Sequence, residues 1–137
     1  MITLLTGHKG SGKTKKLIEM VAAALESSQG NVVVIEKGKK LTYDISHQAR
    51  LIDSDAYDIK GKEALCGFLG GICAGNYDVT DIFVDSTLKI TGTGAEALEF
   101  IVPELKKLSE ASGANFVLSA SAGDDELPEV AKEYVAK

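Results

Sequence analysis

The residues most able to do chemistry lie near the amino end. Gly7-His8-Lys9-Gly10-Ser11-Gly12-Lys13-Thr14 has the spacing G-x-x-x-x-G-K-T. Every residue type in it has a physical reason in a site for a polyphosphate. Glycines reach backbone angles closed to other residues, so the loop can turn successive amide N–H groups onto an anion. A helix opening near Lys13 would add its positive end. Lys13 would reach the outer phosphates as a point charge, and the Thr14 hydroxyl would ligate Mg2+. Lys9, Lys15 and Lys16 add positive potential within a chain of net charge −5. The expected ligand is a nucleoside triphosphate with Mg2+. ATP is the default: there is no N-K-x-D base-reading motif, and Asp58-Ile59-Lys60-Gly61 follows no apolar strand.

A magnesium site of this kind needs an acid at the end of an apolar strand, holding the ion through its waters. Asp81-Ile82-Phe83-Val84-Asp85 supplies the better candidate, Asp85. Arg50-Leu51-Ile52-Asp53 is a shorter alternative. A third carboxylate, Glu36, ends Val32-Val33-Val34-Ile35-Glu36. It is either a base for attacking water or a solvated strand-end acid beside Lys37. Only one of the fifteen basic residues is arginine, Arg50. Phosphate chemistry here therefore falls mainly to lysines and backbone amides.

In this context the octet resembles the Walker A element of the P-loop NTPase superfamily, and the resemblance in fold is expected to span the chain. It implies that Gly7 to Thr14 bind nucleotide, that Thr14 and Asp85 hold Mg2+, and that Lys13 and Asp85 serve catalysis. Ser86 follows Asp85, where many P-loop ATPases carry a catalytic Glu. In the RecA-like or ASCE-type branch that Glu ends the strand after the P-loop helix, the place of Glu36. The same branch inserts a strand between the P-loop strand and the Walker B strand, with a polar end sensing the γ-phosphate. Phe116-Val117-Leu118-Ser119-Ala120-Ser121 is similar to it, which makes Ser119 and Ser121 the candidate sensors. The start of the chain also resembles compact bacterial thymidine kinases. It departs from them in lacking Asp-Glu at the Walker B position and cysteines spaced for zinc. Short bacterial P-loop proteins characterised only as ATP-binding resemble it more closely.

Apolar periodicity indicates which elements would position these residues. Residues 2–6 form a short buried strand, and 14–28 place Leu17, Ile18, Val21, Ala24 and Leu25 at helical spacing. The β-branched run 32–35 predicts a central strand buried on both faces. Lys37-Gly38-Lys39-Lys40 is a basic turn, and 41–53 is expected to be a β-hairpin turning near 46–48, conceivable as a lid. Residues 60–76 predict an amphipathic helix whose Gly67, Gly70 and Gly71 allow close packing on the sheet. A strand at 82–84, a helix at 95–109 kinked or restarted at Pro103, a strand at 115–119 and a short last helix complete the series. The alternation predicts an α/β fold, residues 1–137 as one P-loop domain, with a mostly parallel sheet of about five strands and helices on both faces.

Composition sets the outer limits. A chain of 137 residues, 45% hydrophobic and 26% charged, has the make-up of an ordinary globular domain. The acidic balance argues against nucleic acid as a partner. No apolar run spans a membrane, and Met1-Ile2-Thr3-Leu4-Leu5 lacks a basic region and a cleavage site. Cys66 and Cys73 would share a helical face about 10 Å apart, too far for a disulfide, so free thiols and a cytoplasmic setting are expected. The expected function is Mg2+-dependent ATP binding with hydrolysis that is slow without a protein partner or a second copy. The alternatives are a non-catalytic nucleotide sensor and a small-molecule, nucleoside-like kinase.

Overall fold

The computed structural model describes residues 1–136. In chain order the elements are β1 (Ile2–Leu5), α1 (Lys13–Ser27), β2 (Asn31–Glu36), β3 (Arg50–Asp53), α2 (Lys62–Gly75), β4 (Val79–Val84), α3 (Thr87–Thr91), α4 (Leu98–Ser112), β5 (Asn115–Ser119) and α5 (Glu129–Lys132). Short 3-10 turns cover Ser54–Tyr57, Ala95–Ala97 and Asp124–Glu126. The five strands form one sheet in the order β1-β5-β4-β2-β3, and every pair is parallel. The α/β architecture expected from the alternating pattern is therefore present, with a wholly parallel sheet.

Alternation along the strands divides the core between the two faces. Val33, Ile35, Ile82, Val84, Phe116 and Leu118 pack with α2 and α4, through Leu65, Leu69, Leu98, Ile101 and Leu105. Leu5, Val32, Val34, Phe83 and Val117 face α1, through Leu17 and Val21. The β-branched run of β2 is buried on both sides, and full burial of such a side chain contributes about 1.5–3 kcal/mol.

Residues 41–49 do not form the expected hairpin. β3 runs parallel to β2, with Glu36 opposite Asp53, and the connection is a series of turns. Leu41, Ile45 and Ala49 are buried against α1, whereas Tyr43, which completes the alternation Leu41-Tyr43-Ile45, is exposed. That burial holds the segment down, so the lid expectation falls with the hairpin. The glycines of α2 differ as well. Gly67 and Gly71 are exposed, and Gly70 lies against Leu108 of α4 rather than against the sheet. α4 runs through Pro103 without restarting. Two features escaped the sequence pattern. One is α3. The other is the segment 134–136, which pairs parallel with β1: Leu4 N–H donates to Tyr134 O at 2.8 Å and Ala136 N–H to Leu4 O at 2.9 Å. Cys66 is buried and Cys73 half-buried, both free, and burial raises the Cys66 thiol to about 11.

Candidate functional site

The strand registers build the site. Leu5 pairs with Ser119, and Glu36 with Asp53. One step beyond the pairs Val84–Leu118 and Val84–Ile35, Asp85 joins the same row, its N–H bonded to Ile35 O at 2.9 Å. Leu5, Ser119, Asp85, Glu36 and Asp53 thus line the carboxyl edge of the sheet in order. By alternation they share the α1 face. Open α/β sheets bind ligands outside the carboxyl ends of their strands.

The 7–14 loop leaves β1 at this edge. Gly7, Gly10 and Gly12 have φ of 126°, 87° and 88°, values that favour glycine. The loop is tied at its base by Gly7 N–H to Ala122 O at 2.9 Å, and it turns through Ser11 N–H to His8 O at 3.1 Å. Gly12 precedes α1 without a side-chain cap. The leading amides of the helix therefore have no intrahelical partner and no capping oxygen, which suits an anion. Lys13 Nζ donates to His8 O at 2.9 Å and approaches Ser11 Oγ at 3.5 Å, folding its ammonium over the loop. Burial lowers its pKa below the usual lysine value; the charge of Asp85 opposes this and that of Lys89 adds to it. Leu5, Thr6, Ser11, Gly12, Lys13, Lys16 and Ala136 line a cleft of about 210 Å3 beside the loop. Larger clefts along α1 and residues 42–51 contain none of the octet, so the loop's chemistry, not cleft size, marks the site.

Asp85 is the hub. It is 7% exposed. Its Oδ1 accepts from Thr14 Oγ1 at 3.2 Å and from Ser119 Oγ at 2.8 Å; its Oδ2 accepts from Ser86 Oγ at 3.4 Å. Ser119 Oγ in turn accepts Ser86 N–H at 2.7 Å. Of the two acids considered from sequence, Asp85 is the one beside Thr14. Asp53 instead accepts Gly38 N–H at 2.8 Å and Asp55 N–H at 2.9 Å, which hold its carboxyl below the usual range. Thr14 and Asp85 form an oxygen-only donor pair, which fits Mg2+ with water and phosphate as remaining ligands. Among the described residues no group of three or more His, Cys, Asp or Glu is placed to hold a metal.

Glu36 lies next to Asp85 on the row and is 2% exposed. Both its oxygens are engaged: Oε1 accepts Lys40 N–H and Oε2 accepts Leu41 N–H, each at 3.0 Å. Burial raises its pKa against these bonds, and the charges of Asp85 and Asp53 raise it further. Ser119 is buried and committed to Asp85, whereas Ser121 is exposed next to Ala122, whose carbonyl ties down the loop. His8 and Lys9 are exposed on the loop. Arg50 opens β3, opposite Val33 and three residues before Asp53, and approaches Tyr57 Oη at 3.5 Å. Ser86 was not singled out as a site residue, although its φ of 54° is unusual for a residue other than glycine. The only sequence signal for it was its place after the strand-end acid.

A site of this construction on this sheet defines a P-loop NTPase-like fold, and solved structures share it. The flagellar accessory protein FlaH from Methanocaldococcus jannaschii matches over 93% of this chain and 63% of its own, at 14% identity and a TM-score of 0.60. The pCW3 conjugation coupling protein TcpA, solved in its monomer form with ATPγS, matches over 97% of this chain and 46% of its own, at 19% identity and a TM-score of 0.55. The chain spans less than two thirds of the length of either protein. No family model matches the sequence, and no curated protein does. The position of β5, between β1 and the strand of Asp85, is the one the RecA-like resemblance implied.

Proposed function

We propose that this protein is a nucleotide-binding domain for Mg2+-ATP that hydrolyses ATP slowly on its own. The observation that carries this reading is the 3.2 Å contact between Thr14 Oγ1 and Asp85 Oδ1, directly below an uncapped helix start and a glycine loop. Two residues 71 positions apart in sequence meet where a phosphate-bound Mg2+ needs oxygen ligands. In this reading residues 7–14 hold the phosphates, and Lys13 moves from the His8 carbonyl to the β- and γ-phosphates. Thr14 holds the ion directly, Asp85 holds it through water, and Ser119 positions Asp85. Ser121 is left as the candidate γ-phosphate contact of its strand. The setting is cytoplasmic, and an arginine contribution comes from a protein partner or a second copy, since Arg50 lies three residues before the strand end, off the row that carries Asp85 and Glu36.

A second reading, a nucleotide sensor without turnover, is favoured by one observation. Glu36 is 2% exposed and each of its oxygens accepts a backbone amide, so the surroundings that fix its carboxylate also restrict the access of an attacking water to it. Titration with Mg2+-ATP and a turnover assay separate the readings. Wild type should bind in the micromolar range, and Lys13→Ala should lose at least about tenfold in affinity. No binding by wild type rejects the nucleotide reading. Binding without turnover selects the sensor. Turnover abolished in Glu36→Gln, with binding retained, supports Glu36 as the base.

A further inference from the structure

We propose that the segment 134–136 is a wall of the nucleotide cleft, so that bound nucleotide and this outer segment of the sheet hold each other in place. The inference rests on the nucleotide-binding reading above and deepens it, by assigning the end of the ligand that the segment meets. β1 has two edges. On one, Leu5 O accepts Ala120 N–H at 2.9 Å, on the side of β5, β4 and Asp85. On the other, Leu4 N–H donates to Tyr134 O at 2.8 Å, and Leu4 O accepts Ala136 N–H at 2.9 Å. The segment therefore lies across β1 from the acid that meets Thr14.

That placement orients the ligand. Thr14 and Asp85 draw the metal and the terminal phosphates toward β5 and β4. The α-phosphate and ribose are the other end of the ligand, and they fall to the outer side of the loop. The cleft beside the loop is lined by Thr6, Ser11, Gly12, Lys13, Lys16 and Ala136. Lys13 and Lys16 are three residues apart on one helix face, and Lys16 N–H bonds Gly12 O at 3.0 Å in the first turn of α1. Two ammonium groups suit an anion, and Ala136 borders the same cleft. Tyr134 and Val135 are half-buried against the core, whereas Ala136 is exposed. The core thus fastens the segment as far as Val135. Edge segments with few ladder bonds open locally at little cost. A ligand that fills the cleft closes it against Ala136. By linkage the docked segment tightens the ligand by the same factor.

The test has two arms, both on the full chain. Calorimetric titration with Mg2+-ADP and with Mg2+-ATPγS compares wild type, Ala136→Glu and Ala136→Lys. Ala136→Glu should weaken both nucleotides about tenfold, because both carry the α-phosphate and ribose. Ala136→Lys should bind both at least as tightly as wild type. Opposite responses to the two charges report a phosphate nearby, whereas a disturbed fold weakens both variants alike. Melting temperatures should match wild type, because Ala136 is exposed. In the second arm, hydrogen exchange of wild type is followed with and without saturating Mg2+-ADP. The Ala136 N–H should slow by a larger factor than the amides of β3, at the other edge of the sheet. Weakening of both variants alike, of neither, or for ATPγS alone overturns the proposal, and so does unchanged exchange at Ala136. Wild type that binds neither nucleotide overturns the nucleotide reading itself, a distinct result.

Discussion

Two acids on neighbouring strands, Glu36 and Asp53, respond to protons in opposite directions. Glu36 is buried, and its pKa is raised from 4.5 by desolvation that outweighs its two amide bonds. For a raised acid, the favourable contribution to stability is present below the ordinary value and lost as pH rises through the folded one. A charge on Glu36 thus works against the fold, while the two amide bonds it accepts fix the 37–41 turn. Asp53 is lowered from 3.8, chiefly by Gly38 N–H. Its contribution is present above that value and lost as pH falls through the folded one. Asp53→Ala should therefore cost about 1–2 kcal/mol near neutral pH in denaturant unfolding. The gap to wild type should close as the solution is acidified below 3.8. A constant gap would mean that the amide bonds do not depend on the carboxylate charge. The octet was legible residue by residue because its spacing is a local chemical pattern. The work of Glu36 was not, because its partners are backbone amides that any sequence would offer.

Elements were legible where burial followed a single period. α1 and α4 show one apolar stripe each, and β2 is apolar from Val32 to Ile35. Errors fell where burial and local conformation part. Leu41, Ile45 and Ala49 are buried from turns, and α3 is helical although Thr87, Ile90 and Thr91 are β-branched and poor helix formers. α3 is held from its ends, by Ser86 at the start and Gly92 at φ 71° at the finish. Connections between elements carry their own constraints. Gly30, between α1 and β2, lies against the turn before β4: a Cβ there would sit 2.0 Å from Asp78 O. The adjoining Asn31 N–H bonds the same carbonyl at 2.8 Å, so that backbone cannot withdraw freely. Gly30→Ala should lose about 1–3 kcal/mol, read as a lower urea midpoint at unchanged slope. Wild-type stability would show that the two turns are free to separate.

At the scale of the molecule, the parallel sheet gives every strand the same direction and so gathers all their carboxyl ends on one edge. That edge collects Thr14, Ser119, Asp85, Glu36 and Asp53, whereas Arg50 lies on the outer strand β3 level with Val33, in the middle of β2. Arg50→Ala should leave Mg2+-ATP affinity and turnover within about twofold of wild type, with a stability change within about 0.5 kcal/mol. A turnover loss beyond that in steady-state assay would return Arg50 to the site. Among the described residues no helix is long and apolar enough to cross a membrane. The sequence by itself determined the phosphate loop, the alternation of strand and helix, and the strand-end acids, since each is written in contiguous residues. Only the tertiary structure decided which acid meets Thr14, that Ser119 braces it, that Glu36 is tied to a turn, and that residues 134–136 extend the sheet. Those outcomes depend on strand order and register, and these are set by packing between residues far apart in the chain.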